Sequence, residues 1–163
     1  MKIIVISDTH GAFHRLHQVV TIHKDADMFI HLGDGERELH HLFLEMPLLE
    51  QKFYCLKGNC DYGILSNSIR TLNLVLPYDH RIFAAHGDYF GVKYSTARII
   101  HEAKRLQADI LLYGHTHVRD CHYEDGLYII NPGSLGCPRG DLKYSYALLD
   151  ISESGILANI AFL

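Results

Sequence analysis

The apolar positions of this chain fall into short runs separated by polar turns, and their spacing switches between two periods. Lys2 to Ser7 is a continuous apolar run that fits a buried strand, and Ala12 to Lys24 then sets Phe13, Leu16, Val19 and Val20 on one side of a helix. Met28 to Leu32 and Lys52 to Leu56 repeat the strand signal, with a helical segment from Glu36 to Leu44 between them and Pro47 ending it or following its end. This alternation predicts a parallel sheet. Strands are expected again at Arg70 to Leu76, Arg81 to Ala85 and Asp109 to Tyr113, with a helix from about Tyr94 to Gln107 before the last. The final third changes character. Val118 to Tyr123 and Leu127 to Ile130 flank Glu124-Asp125-Gly126, a tight hairpin signal, and Ser145 to Ile151 pairs with Gly155 to Phe162. The pattern predicts an α/β half followed by a β-rich half, most economically two packed sheets with helices outside.

Composition narrows the chemistry. A length of 163 residues supplies one well-buried core and is short for two, so residues 1–163 are expected to form a single domain. The apolar fraction of 48% and charged fraction of 21% are those of a folding, globular chain. A net charge of -4 argues against a protein held to long nucleic acid by phosphate neutralisation, while small phosphate esters remain in reach if metals supply positive charge locally. No apolar stretch has the length of a membrane span, and Met1 to Val5 runs into a strand pattern instead of a signal peptide, so a cytoplasmic location is expected. Cys55, Cys60, Cys121 and Cys137 contain no Cys-x-x-Cys pair and read as reduced thiols. The unusual count is histidine, at 13.

Position gives those histidines meaning. Asp8-Thr9-His10, Gly33-Asp34, Gly58-Asn59, His86-Gly87 and His115-Thr116-His117 each follow directly on an apolar strand. Side chains at the carboxyl ends of parallel strands converge on one crevice, and residues i and i+2 of an extended segment point to the same side, so Asp8/His10 and His115/His117 can each grip one ion or one cluster. Oxygen and imidazole donors without thiolate favour Mn, Fe, Zn, Ni or Co over calcium. Seven candidate ligands (Asp8, His10, Asp34, Asn59, His86, His115 and His117) exceed one tetrahedral site and suit two divalent ions, with Asp34 as the natural bridge.

Together with Cys60-Asp61, these blocks resemble the calcineurin-like metallophosphoesterases, in particular their small bacterial and archaeal phosphodiesterase branch, from Met1 to about Gly140 and in the family's order. The resemblance implies a sandwich of two mixed β-sheets flanked by helices, a four-layer αββα arrangement. It implies that Asp8, His10 and His117 hold one metal and Asn59, His86 and His115 the other, with Asp34 bridging them and Asn59 also touching the phosphoryl group as the catalytic residue. The reaction expected is hydrolysis of a small phosphodiester or other phosphoester by a metal-bound hydroxide, with manganese the first choice of ion. Neither a membrane nor a long nucleic acid is an expected partner.

One departure matters: many larger relatives carry Gly-Asn-His-Asp or Gly-Asn-His-Glu where this chain has Gly58-Asn59-Cys60-Asp61. The missing histidine is a proposed general acid, so protonation of the leaving group is unassigned, which points to diesters with good leaving groups or to solvent as the acid. Asp61 is expected to orient neighbouring groups. His31, inside a strand, reads as core packing in preference to a support for neighbouring ligands, Asn131-Pro132-Gly133-Ser134 reads as a turn, and His14, His17, His23, His40, His41, His80, His101 and His122 carry no assigned chemistry. Arg139 is within sequence reach of a substrate phosphate but equally fits an ordinary surface role. The competing readings are a non-catalytic scaffold of the same fold, as in a retromer subunit, and a phosphomonoesterase or protein phosphatase.

Overall fold

The computed structural model describes residues 1–163. One sheet is built from β1 (Lys2–Ile6), β2 (Met28–His31), β3 (Phe53–Cys55), β9 (Ser145–Ser152) and β10 (Gly155–Phe162), in the order β10-β9-β1-β2-β3. The other contains β4 (Thr71–Val75), β5 (Arg81–Ala85), β6 (Ile110–Tyr113), β7 (Asp120–Glu124) and β8 (Leu127–Asn131), in the order β4-β5-β6-β8-β7. Each sheet has three parallel strands, β1-β2-β3 in the first and β5-β6-β8 in the second, with antiparallel strands completing it. The β-rich final third forms no sheet of its own. Its first hairpin extends the second sheet and its last extends the first.

The long apolar runs are explained by burial on both faces. Ile3 and Val5 of β1 point between the sheets, where they meet Ile30, Ile82, Ala84, Leu112, Ile130 and Ala147 in one core. Ile4 and Ile6 point the other way, onto Leu16, Val19 and Val20 of α1 (Phe13–Ile22) and Leu39, Leu42 and Phe43 of α2 (Glu36–Glu45). On the far side, Phe83, Ala85, Leu111 and Tyr113 pack on Ile99 and Ala103 of α3 (Ala97–Arg105). The result is four layers, helix, sheet, sheet and helix.

Several boundaries differ from the sequence pattern for local reasons. α3 starts at Ala97 because Gly91 turns the chain with positive φ, its carbonyl accepts the Tyr94 and Ser95 N–H groups, and Ser95 Oγ accepts the Ala97 N–H at 3.2 Å. Tyr94 is left 96% exposed, outside the helix. β7 starts at Asp120, since Thr116 Oγ1 accepts the Val118 N–H at 3.2 Å and holds that segment in a turn. Pro47 opens a short 3-10 helix, Pro47–Lys52, after α2 has ended. Asp125 and Gly126 both adopt positive φ, as the tight hairpin requires.

The strand registers set up the site. Ile6 pairs with His31 and His31 with Cys55, so β1, β2 and β3 end level, and Ala85 pairs with Tyr113 in the opposite sheet. Their carboxyl ends face one crevice, as the open α/β rule demands.

Candidate dinuclear metal centre

All seven sequence-predicted residues meet in that crevice, and their donor atoms form one continuous cluster. His117 Nε2 lies 3.1 Å from Asp8 Oδ1 and 3.3 Å from His10 Nε2. His10 Nε2 and His86 Nε2 lie 3.7 Å and 3.5 Å from the same oxygen, Asp34 Oδ2. On the other side His86 Nε2 is 3.2 Å from Asn59 Oδ1 and 3.1 Å from His115 Nδ1. Donors held at about 2.0–2.2 Å around one ion stand about 3.0–3.5 Å apart, so most of these spacings are within a metal's reach, and Asp34 stands near a histidine on either side.

The protein aims the unshared electron pairs into the cluster. His86 Nδ1 donates to the Leu32 carbonyl at 2.9 Å and His117 Nδ1 donates to the Cys137 carbonyl at 2.7 Å, which leaves Nε2 of each neutral ring as a bare acceptor. Asp8 is fully buried; its Oδ2 accepts from Ser7 Oγ and the His115 N–H, while Oδ1 has no hydrogen bond at all. A buried carboxylate oxygen without a donor costs on the order of 1–3 kcal/mol or more, and converging bare nitrogens add to the cost. A divalent cation satisfies every one of these groups, so the residues fit the metals that the donor chemistry suggests.

Backbone strain is concentrated here. Asp8, His10, Asp34, His115 and His117 all have positive φ, between 39° and 66°, at roughly 1 kcal/mol or more apiece. Asp and His tolerate this region better than branched residues do. The strain is held by struts. Asp61 Oδ2 accepts the Asp34 and Gly58 N–H groups, each at 2.8 Å, and Oδ1 accepts those of Gly35 and Glu36 at 3.1 and 3.0 Å. Gly33 and Gly58 pack so closely that a Cβ on Gly33 would sit 2.6 Å from Gly58 N.

Three structural roles escaped the sequence pattern. The Asn131-Pro132-Gly133-Ser134 segment does form a turn, but a buried one that serves the site: Asn131 Nδ2 donates to the Gly114 carbonyl and to Thr116 Oγ1, and Ser134 Oγ donates to the Asp8 carbonyl at 2.6 Å. Its place at the end of β8, the sixth parallel strand, was the available signal. His31 is more than packing, since Nδ1 accepts the Gly33 N–H at 3.2 Å and Nε2 faces Thr9 Oγ1 at 3.4 Å. Glu36 accepts three N–H groups, from Tyr62, Gly63 and Leu65, and so shapes the loop after Asn59. Arg139 is exposed; its backbone N–H donates to the His117 carbonyl and its charge acts against protonation of the His117 ring.

The electrostatics couple the two sheets. Burial pushes the Asp8 carboxyl up, but His117, His86 and Ser7 outweigh it and hold the group below the usual carboxylate range. Asp34 behaves alike, with His86 and the Cys60 N–H overcoming burial. Burial pulls His86 down, yet Asp34 and Asp8 leave it raised, and His117 is raised chiefly by its contact with Asp8. His115 is lowered by burial, His86 and Lys93. Cys60 lies beside the cluster, where burial and then Asp34 push its thiol up to about 11, and Asn59 Nδ2 donates to its sulfur at 3.1 Å.

Comparison with known proteins places this geometry in context. The calcineurin-like phosphoesterase superfamily domain matches residues 1–154. The chain is 32% identical to a probable metallophosphoesterase, YsnB, of Bacillus subtilis, over 94% of this chain and 86% of that one. It is 26% identical to the phosphodiesterase YfcE of Escherichia coli over 99% and 98% of the two chains. The crystal structure of a predicted phosphoesterase from Streptococcus pneumoniae superposes with a TM-score of 0.82 at 29% identity, covering 99% of this chain and 88% of that one.

Proposed function

The chain belongs to the calcineurin-like phosphoesterase superfamily, and from that premise we propose that it is a metal-dependent phosphodiesterase acting on small phosphate esters at a dinuclear centre. The observation that carries this reading is the single cluster of seven donors around Asp34 Oδ2, with Asp8 Oδ1 buried without a hydrogen bond and facing the His117 ring. Asp8, His10 and His117 would hold one cation and Asn59, His86 and His115 the other, with Asp34 within reach of both. Such a pair of ions, when bound, supplies an activated water and neutralises charge on the phosphoryl oxygens. Manganese suits the mixed oxygen and imidazole set, with Ni, Co, Fe and Zn as alternatives.

The chain's own groups do the positioning. The Leu32 and Cys137 carbonyls keep His86 and His117 in the tautomer that presents Nε2. Asn59 Nδ2, resting on the weak acceptor Cys60 Sγ, is free to turn to a phosphoryl oxygen. No imidazole stands at position 60, so no side chain there is suited to protonate a poor leaving group, and esters with good leaving groups are favoured. Changing Cys60→His should extend turnover to poorer leaving groups; an unchanged substrate range would remove that explanation.

The test strips the protein of metal, restores Mn, Ni, Co, Zn or Mg in turn, and assays p-nitrophenyl phosphate beside bis(p-nitrophenyl) phosphate. Metal-dependent turnover with preference for the diester is the expected result. Monoester preference would make it a phosphomonoesterase, and silence from a metal-loaded protein would favour the scaffold reading.

A further inference from the structure

The crevice opens into two recesses of opposite character, and the contrast reaches past the reaction to the substrate. On the His10 and Asp34 side, a recess of 290 Å³ is lined by Asp34, Glu36, Glu38 and Asp61 against one cation, Arg37. On the His86 side, a recess of 580 Å³ is lined by Lys57, Arg70 and Tyr89, with Asp88 and Glu102 as its acids. Glu102 is already occupied, since Arg105 grips both of its oxygens at 2.8 Å.

The two cations stand together because of the backbone. Leu56 bridges Ile69 in parallel register, and the Lys57 N–H donates to the Ile69 carbonyl at 2.8 Å, which sets Arg70 as the next neighbour across from Lys57. The ion pairs of lysine and arginine elsewhere in the molecule involve Lys2, Lys104, Arg105, Arg119 and Lys143, and neither Lys57 nor Arg70 takes part in one. With Glu102 occupied, Asp88 is the one acid left facing these two cations, so an entering anion completes their neutralisation. The candidate ligand His86 lines the same recess as Lys57, so an anion held there lies beside the candidate metal centre. An arginine fork beside a lysine point charge suits a phosphate in particular. Tyr89, 73% exposed and braced edge-on by Phe90, offers a flat face of the kind on which nucleobases stack.

We propose that the recess beside His86 is a subsite for a second phosphate, making the substrate a short nucleotide diester that carries a further phosphate on one arm. The recess opposite offers Arg37 as its one Lys or Arg and takes the uncharged arm, so the placement of the cations sets the direction in which the diester lies. The inference rests on the phosphodiesterase reading above, and its test separates the two.

The measured quantity is the ratio of kcat/KM for the 5′-phosphorylated dinucleotide pApA to that for ApA. The expected wild-type ratio is at least tenfold, carried by KM, collapsing to within twofold in the Lys57→Ala/Arg70→Ala double variant and largely kept in Arg70→Lys. A wild-type ratio near one, or a ratio the double variant keeps, overturns the subsite. If neither dinucleotide nor bis(p-nitrophenyl) phosphate is turned over, the phosphodiesterase reading falls. Calorimetry then decides the subsite alone: tighter binding of pApA than ApA upholds it, and equal binding overturns it.

Discussion

The two sheets bring different chemistry to the same crevice. The first contributes Asp8, Asp34 and Asn59 with one imidazole, His10, whereas the second contributes imidazoles alone, His86, His115 and His117. The loops differ in the same sense. Those of the first sheet are tied by charged acceptors, Asp61 and Glu36, the His115 loop of the second by the neutral Asn131, and Ser134 reaches across from the second sheet to the Asp8 carbonyl of the first. Each carboxylate of the first sheet that touches the cluster faces a histidine of the second, Asp8 with His117 and Asp34 with His86. The site is thus a seam between an acidic and a basic edge. Most of the nitrogen donors lie on one edge and all of the oxygen donors on the other, so the full mixed set is assembled where the two edges meet.

The largest effect should come from the residue that both donor sets share. Asp34→Asn should lower kcat/KM by at least about 10³-fold, as loss of about 4 kcal/mol of metal-based stabilisation implies. His115→Ala, which touches one set only, should cost less and act mainly through metal affinity, by about 100-fold. Titrating activity against metal concentration in the two variants distinguishes them, and equal losses from both would contradict a shared Asp34.

Next come the struts. Removing the charged acceptor in Asp61→Ala should destabilise the metal-free protein by about 3 kcal/mol, because four N–H groups lose it together. Asn131→Ala removes neutral bonds to Gly114 and Thr116 and should cost about 1–2 kcal/mol. Urea unfolding of both variants gives the order, and a larger loss from Asn131 would reverse the comparison.

The smallest effect is the pH profile of the metal-free protein, where the sheets should fail in opposite directions. His31 of the first sheet is pushed by burial down to about 4, so the unfolded chain binds more protons below the ordinary value of 6.5 and stability falls on acidification. Asp8 and Asp34, depressed in the fold, add a further loss as pH drops through 3.8 toward their folded values. His86 and His117 of the second sheet are raised, so their contribution is complete below 6.5 and is lost as pH climbs through their folded values. His115, lowered, sides with the first sheet. Thermal midpoints should therefore peak near pH 6.5 without metal. Added Mn should stabilise more as pH rises above that, since it competes with protons for the imidazoles. A metal-free midpoint that keeps rising to pH 8 would show that the Asp–His pairs do not hold the seam.

By itself, the sequence determined the strands, the helices to within a few residues, and the residues that gather at the site. The reason is that both kinds of information are local: an apolar run records burial, and an Asp-x-His or Gly-Asn at its end records a loop with a task. That the final hairpins divide between the two sheets was decided only by tertiary packing, because β9 pairs with β1, and carries β10 on its other edge, at a sequence distance no local pattern encodes. Tertiary structure likewise turned Asn131 and Ser134 from turn residues into struts and His31 from packing into a hydrogen-bond acceptor. It also set Lys57 against Arg70, through one backbone bridge between segments that share no motif. The ligands were legible because a metal demands particular atoms. Their supports were not, since any residue that can reach a carbonyl or an N–H will serve, and reach is a property of the folded chain alone.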